Sequence, residues 1–166
     1  MMKRQRKLYH TPKRPWDKER IESEREVMKS FGLKTKREIW RTASLLRKYR
    51  KLARELAARR NMDKEMIIIE KLAKLGILKK NATLDDVLGL TLEDFLNRRL
   101  ETVVYKRKLA NTPKQARQFI VHGKVLINDR KVRFPSYIVP VGEEEKIMVK
   151  MNVAVKQGEA NGKAAE

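Results

Sequence analysis

Four times in this chain a threonine stands three residues ahead of an acid or a glutamine and opens a run of apolar residues at three- and four-residue steps. The pairs are Thr35/Glu38, Thr83/Asp86, Thr91/Asp94 and Thr112/Gln115. A hydroxyl at that place and a side chain returning to it satisfy amide donors that the first turn of a helix leaves open. One such pair arises by chance; four, each followed by helical periodicity, predict that the first two thirds of the chain are helical. After Gly123 the apolar period drops to alternation. Val125, Ile127 and Val132 are interleaved with polar residues around Asn128-Asp129-Arg130, which reads as a hairpin turn. The segment Phe134 to Lys150 adds an extended stretch, a glycine-containing turn and a last strand with Ile147 and Val149. The expected fold class is α+β: a mainly helical front, then two short helices on a small antiparallel sheet.

The helical part has a readable order. "YHTPKRPW" is a proline-broken arm, and Trp16 to Phe31 forms a charged helix with Ile21, Met28 and Phe31 on one side, stopped by Gly32 as a left-handed residue. In the helix after Thr35, Ile39, Trp40, Ala43, Leu46, Tyr49, Ala53 and Leu56 make a core-facing stripe. Trp16 and Trp40 are expected to anchor this part by packing. From Thr91 one helix is expected, with Leu96, Leu100, Val103 and Val104 inward and Arg99, Thr102 and Lys106 on a polar face, until "KLAN" breaks it. Thr112 caps the next helix, Pro113 takes its first position, and Ala116, Phe119, Ile120 and Gly123 face the core. Lys114, Arg117 and Gln118 then point outward, with His122 at the helix end.

Charge narrows the class of partner. The 166 residues carry 41 Lys plus Arg against 21 Asp plus Glu, a net +20. That excess repels itself in isolation and calls for a polyanion. It is uneven: residues 1–60 hold 21 basic and 7 acidic side chains, 61–90 hold 5 and 5, 91–150 hold 13 and 7, and 151–166 hold 2 and 2. The chain divides accordingly into a basic helical part at 1–90, a second module at 91–150, and a Gly/Ala-rich tail at 151–166 expected to be disordered. From Lys36 to Arg60 there are 10 basic residues and 2 acidic ones. A charge run is usually a solvated face, but so few compensating acids favour a phosphate-tracking surface made by Arg37, Arg41, Arg47, Lys48, Arg50, Lys51 and Arg54. Lys3, Arg4, Arg6 and Lys7 extend it into the arm.

Other classes lack their residues. Residues 1–90 offer no Gly-rich phosphate loop, no nucleophile with a base and no ligand cluster, so neither an enzyme nor a cofactor or metal site is expected. No cysteine is present, which fits a reducing compartment. "MMKRQRK" resembles the start of a signal peptide, but no apolar region follows and the longest apolar run, Met66 to Ile69, is too short to span a bilayer; a cytoplasmic protein without a membrane partner is expected.

The stretch "RRLETVVYKRKLANTPKQARQFIVHGKVLINDRKVRFPSYIV", Arg98 to Val139, resembles the RNA-binding module named after small-subunit ribosomal protein S-four. Upstream, "KRQRKLYHTPKRPWDKERIESE", "LKTKREIW" and "LDDVLGLTLEDFLNRRLETVVYKR" resemble the archaeal and eukaryotic branch of that ribosomal family, so the likeness runs to about residue 150. It implies a structural role in the small ribosomal subunit, in the cytoplasm, binding the 5′ domain of small-subunit ribosomal RNA at a helical junction and helping to nucleate assembly. It also implies neighbouring small-subunit proteins, protein five among them, and messenger RNA close to where it enters. Two positions depart from the family pattern. Glu101 replaces Asp, and Asn128-Asp129 replaces Asn-Gly, so Asp must take a backbone conformation that Gly adopts more freely. The Cys-ligated zinc of some members is absent with its cysteines.

A-form RNA closes its major groove to side chains, so shape is read through phosphates, 2′-hydroxyls and exposed junction bases. Arg99, Lys106, Lys114, Arg117 and Lys124 are the candidate phosphate contacts of the module; Gln118, His122 and Asn128 can donate and accept. Each has a structural alternative. His122 is as well suited to capping, and Arg98 or Arg99 to an internal pair with Glu101 or Asp94. Tyr105 and Tyr137 are candidates for base stacking, with partial burial the commoner fate of such residues. A free-standing RNA-binding regulator using the same module is the alternative function, and a DNA-binding helix-turn-helix is disfavoured by the match through "PSYIV".

Overall fold

The computed structural model describes residues 7–59, 61–79 and 81–150. The tail at 151–166 and Lys3, Arg4 and Arg6 of the arm lie outside the described residues. In chain order the elements are α1 (Lys18–Phe31), α2 (Lys36–Arg59), α3 (Met62–Lys74), α4 (Leu84–Gly89), α5 (Leu92–Asn97), α6 (Leu100–Lys106), α7 (Pro113–Val121), β1 (Val125–Ile127), β2 (Arg130–Lys131), α8 (Val141–Glu144) and β3 (Ile147–Val149). The architecture is α+β. β1 is the central strand of an antiparallel sheet in the order β2-β1-β3, with Ile127 paired to Arg130 on one side and to Ile147 on the other.

Local chemistry sets most boundaries. Thr83 and Thr91 begin α4 and α5, and their backbone amides each donate to the carboxylate three residues on, Asp86 and Asp94, at 2.7 Å. At α7 the Gln115 amide donates to the Thr112 hydroxyl at 3.2 Å, while the Gln115 side chain accepts from the amide of Asn111 at 2.8 Å. Gly32 ends α1 with φ 66°, and Gly123 follows α7 with φ 68°. Behind Gly123 the Lys124 amide reaches the Phe119 carbonyl at 2.9 Å, closing the helix. Asn128 and Asp129 both take positive φ, 49° and 63°, the conformation that a two-residue hairpin of this hand requires.

Three apolar clusters form the core. Ile39 and Leu33 meet Leu96, with Trp40, Phe31 and Met28 packed around them. Farther along α2, Leu46 and Ala53 meet Leu72 of α3, Val87 of α4 and Phe95 of α5. Leu100, Val103 and Val104 of α6 pack with Ala116 and Ile120 of α7 beneath Val125, Ile127 and Ile147 of the sheet. Within six positions, Phe95, Leu96 and Leu100 enter three different clusters, so this short stretch ties the helical front to the sheet-bearing module.

Three sequence expectations are corrected. The helix from Thr91 is not continuous: α5 ends at Asn97 and α6 starts at Leu100. At the break the Leu100 amide donates to the Tyr137 carbonyl at 2.7 Å, and Arg99 forms a β-bridge with Ile138, so backbone pairing to the 137–138 segment replaces a helical turn. The glycine-containing turn before the last strand is the one-turn helix α8, with Gly142 inside it. Trp16 is no packing anchor; it is 88% exposed, one residue before the N-cap Asp17. Trp40 is half-buried and its indole N–H donates to Glu24 at 2.9 Å.

Candidate nucleic-acid interface

The apolar stripe of α2 turns its other faces to solvent. Arg37, Arg41, Arg47, Lys48, Lys51 and Arg54 are all exposed, as the pattern required. Arg47 and Arg54 each return an Nε–H to the carbonyl four residues earlier, at 3.3 Å, which lays the stems along the helix. Arg50 behaves differently. It is half-buried, and its Nη2 donates to the Leu90 carbonyl at 2.6 Å at the end of α4, so it fastens α4 to α2 and leaves the expected outward face.

On the module, Lys106, Lys114, Gln118, His122 and Asn128 are exposed, as is Lys7 of the arm. Lys124 is half-buried, with its ammonium 5.6 Å from the centre of the Phe119 ring. Arg130, Lys131 and Arg133 are also exposed, a basic run that the hairpin expectation for this segment does not single out. The alternation of Lys131 and Arg133 with inward Val132 is a signal for these two; Arg130 shares the parity of Val132 and is exposed at the hairpin end.

Arg99 and Arg117 do not stand on the expected polar face. Arg99 is 5% exposed, and Arg117 is half-buried. Glu38, on the first turn of α2, accepts from Arg99 Nη2 at 2.5 Å and from both terminal nitrogens of Arg117 at 2.9 and 3.1 Å. Glu101, fully buried on α6, accepts from Arg117 Nη1 at 3.1 Å and lies 3.8 Å from Arg99. Two guanidinium groups and two carboxyl groups thus come together where α2, α6 and α7 meet. Arg117→Ala is expected to disturb the fold and cannot be treated as a pure surface change. Thr102, placed on the same polar face, is buried and gives its hydroxyl to the Leu96 carbonyl at 2.8 Å. Arg98 is internal too, paired with Glu144 at 2.7 Å and bonded to the Val139 carbonyl.

The two carboxyl groups of the cluster are shifted in opposite directions from their ordinary value. Burial pushes Glu101 up to about 7, outweighing the nearby charges of Arg117 and Arg99. Burial also opposes ionisation of Glu38, but its hydrogen bonds and charge pairing with Arg117 and Arg99 prevail and hold it below its ordinary value. Glu38 consequently serves the helix junction: toward Thr35 it keeps a hydroxyl contact of 3.5 Å.

Beside this cluster runs a groove lined by Arg41, Ser44 and Lys48 of α2 and by Pro135, Ser136 and Ile138 of the module. Arg99 and Arg117 form part of its wall. A groove with lysine and arginine on one lip and hydroxyls on both sides suits a sugar-phosphate backbone, because the cations neutralise phosphates and serine can donate or accept at a ribose hydroxyl. Among the described residues, no helix is long and apolar enough to cross a membrane.

Family models cover almost all of this framework. The model for the ribosomal protein S4/S9 N-terminal domain matches residues 3–97, and that for the S4 domain matches residues 98–144. They meet at the break between α5 and α6. The small ribosomal subunit protein uS4 of Picrophilus torridus is 49% identical over 149 residues, spanning 86% of this chain and 81% of that protein. Its counterpart in Methanococcus aeolicus is 48% identical over 145 residues, with 85% and 82% covered. The Korarchaeum cryptofilum protein of the same name is 45% identical over 148 residues, with 88% and 89% covered. On identities of this size across both modules, the chain belongs to the uS4 family of small ribosomal subunit proteins.

Proposed function

We propose that this chain is a structural constituent of the small ribosomal subunit and binds small-subunit ribosomal RNA by shape. The observation that carries the reading is the groove between α2 and the module. Arg41 and Lys48 on one side face Ser136 on the other, and exposed cations continue from it along both parts. The buried cluster of Glu38, Arg99, Glu101 and Arg117 supports it, since it fixes the angle between two basic surfaces. A rigid pair of surfaces fits one arrangement of RNA helices and mismatches others, which is how shape is read without base edges.

In this reading the basic helical part, 1–90, and the module, 91–150, grip the 5′ domain of the RNA at a junction of helices and help nucleate subunit assembly. Phosphate contacts come from Arg37, Arg41, Arg47, Lys48, Lys51 and Arg54, and from Lys106, Lys114 and Lys124. Gln118, His122 and Asn128 serve 2′-hydroxyls or junction bases. Neighbouring small-subunit proteins, protein five among them, and messenger RNA complete the surroundings in the cytoplasmic ribosome. The part played is binding, with no catalytic step.

Sedimentation tests the ribosomal role. The tagged full-length chain, expressed in an archaeal cell, is expected to co-migrate with small subunits through a sucrose gradient and to resist a high-salt wash. Recovery at the top of the gradient would contradict the reading and favour a free-standing RNA-binding factor.

A further inference from the structure

Phe134 is 73% exposed, the largest exposed ring beyond the hairpin. Val132, two positions earlier, packs into the core of the module. Had β2 continued, alternation would have carried the ring of Phe134 inward as well. Instead the strand stops at Lys131 and the chain turns, with the Tyr137 amide donating to the Phe134 carbonyl at 3.1 Å. The turn is held from behind: the Leu100 amide donates to Tyr137 and the Glu101 amide to Pro135, at 2.7 and 3.5 Å. A large ring is thus presented to solvent on a fixed backbone.

Its surroundings select the occupant. Arg130, Lys131 and Arg133 precede it, all exposed, and none of the three forms an ion pair among the described residues. The side chain of Arg133 runs across Gly123, where an added Cβ would lie 3.3 Å from its Nε, so this cation is placed at the end of α7 beside His122. Pro135 and Ser136, which follow, line the groove shared with Arg41 and Lys48. An exposed apolar ring amid unpaired cations is poorly suited to an apolar protein surface, which would bury those charges. It suits a strand whose phosphates meet the cations and whose base meets the ring.

Resting on the ribosomal RNA reading above, we propose that Phe134 is a stacking platform for one unpaired RNA base, with Arg130, Lys131 and Arg133 holding the flanking phosphates. Stacking accepts any base through its face, so the site contributes affinity and position, with no strict sequence preference.

Full-length Phe134→Ala, Phe134→Leu and Phe134→Trp variants, each checked by circular dichroism, are titrated with a folded 5′-domain fragment of small-subunit ribosomal RNA. Ultraviolet crosslinking and mass spectrometry of the wild-type complex locate contacts. The Ala and Leu variants are expected to lose about 5- to 100-fold in affinity, Trp to retain it, and a nucleotide adduct to form on Phe134. Wild-type binding with unaffected Ala and Leu variants would overturn this inference alone. So would variants that keep RNA affinity but fail to enter subunits with other proteins, which marks a protein contact. A wild-type chain that does not bind the fragment overturns the ribosomal reading and this inference with it.

Discussion

Glu38 and Arg117, 79 residues apart in the chain, are joined by two hydrogen bonds of 3.1 and 2.9 Å. Through this pair α2 grips α7, and Arg99 enters the same carboxylate from the α5–α6 break. Removing one partner of this half-buried pair leaves charge only partly compensated by water, at a cost of about 2–3 kcal/mol, below that of a fully buried pair. Arg117→Ala is therefore expected to lower the urea midpoint strongly, whereas Lys114→Ala, one turn away and exposed, should stay within about 0.5 kcal/mol of wild type. A double-mutant cycle of Glu38→Ala and Arg117→Ala should give a coupling above about 1 kcal/mol. Additive losses would show that the two residues stabilise the fold separately.

The opposed carboxylates predict a pH dependence. Glu101 is raised from its ordinary 4.5 to about 7 by burial, so the folded state holds a proton that the unfolded chain releases. Its contribution is fully present below pH 4.5 and is lost as pH rises toward 7. Glu38 is lowered despite its burial, and its contribution is lost as acid protonates it. Glu101→Gln, which keeps an acceptor for Arg117 and cannot ionise, should gain stability relative to wild type between pH 4.5 and about 7. Denaturant titrations across that window check this; a constant difference would mean that Glu101 does not titrate there.

Gly32 tests how closely the front meets the module. Its φ is 66°, and an added Cβ would lie 2.7 Å from Pro113 Cβ and 3.2 Å from the Glu101 carboxylate. Left-handed backbone and overlap together should make Gly32→Ala destabilising by at least about 2 kcal/mol. Gly89, at the end of α4, has nothing within 4 Å of such a Cβ, and Gly89→Ala should be neutral or slightly stabilising. Equal melting temperatures for the two variants would contradict the close approach.

Lys48 is exposed on α2 and lines the groove, so reversing its charge acts on the partner and leaves the core intact. Lys48→Glu should weaken RNA binding with an unchanged circular dichroism spectrum, and the logarithmic salt slope should fall by about 1 for each phosphate that is no longer neutralised. Unaltered affinity and slope in the folded variant would remove this face from the interface.

Much of the frame was legible in local patterns. The capping pairs at Thr83 and Thr91 close as bonded units, the α2 stripe buries Ile39, Leu46, Ala53 and Leu56, and Gly32 takes its left-handed place. These rest on neighbours within one or two turns. The break at Arg98-Arg99 was not legible, because Leu96, Leu100, Val103 and Val104 keep helical spacing across it while the Tyr137 carbonyl, far along the chain, captures the Leu100 amide. The inward turn of Arg99 and Arg117 is illegible for the same reason. Cations normally face water, and the carboxylate that draws them in lies 61 and 79 residues away. Arg50 likewise finds its acceptor 40 residues on. The exposure of Phe134 depends on where β2 stops, which side-chain pattern does not fix.

A competition titration at several salt concentrations addresses shape recognition most directly. The full-length chain is offered a folded 5′-domain fragment of small-subunit ribosomal RNA against unrelated duplex RNA of equal length. With two basic surfaces locked at one angle by Glu38 and its arginines, preference for the junction fragment should persist as salt rises, although both affinities fall. Equal affinities that collapse together would contradict shape recognition and leave a basic protein attracted to any polyanion.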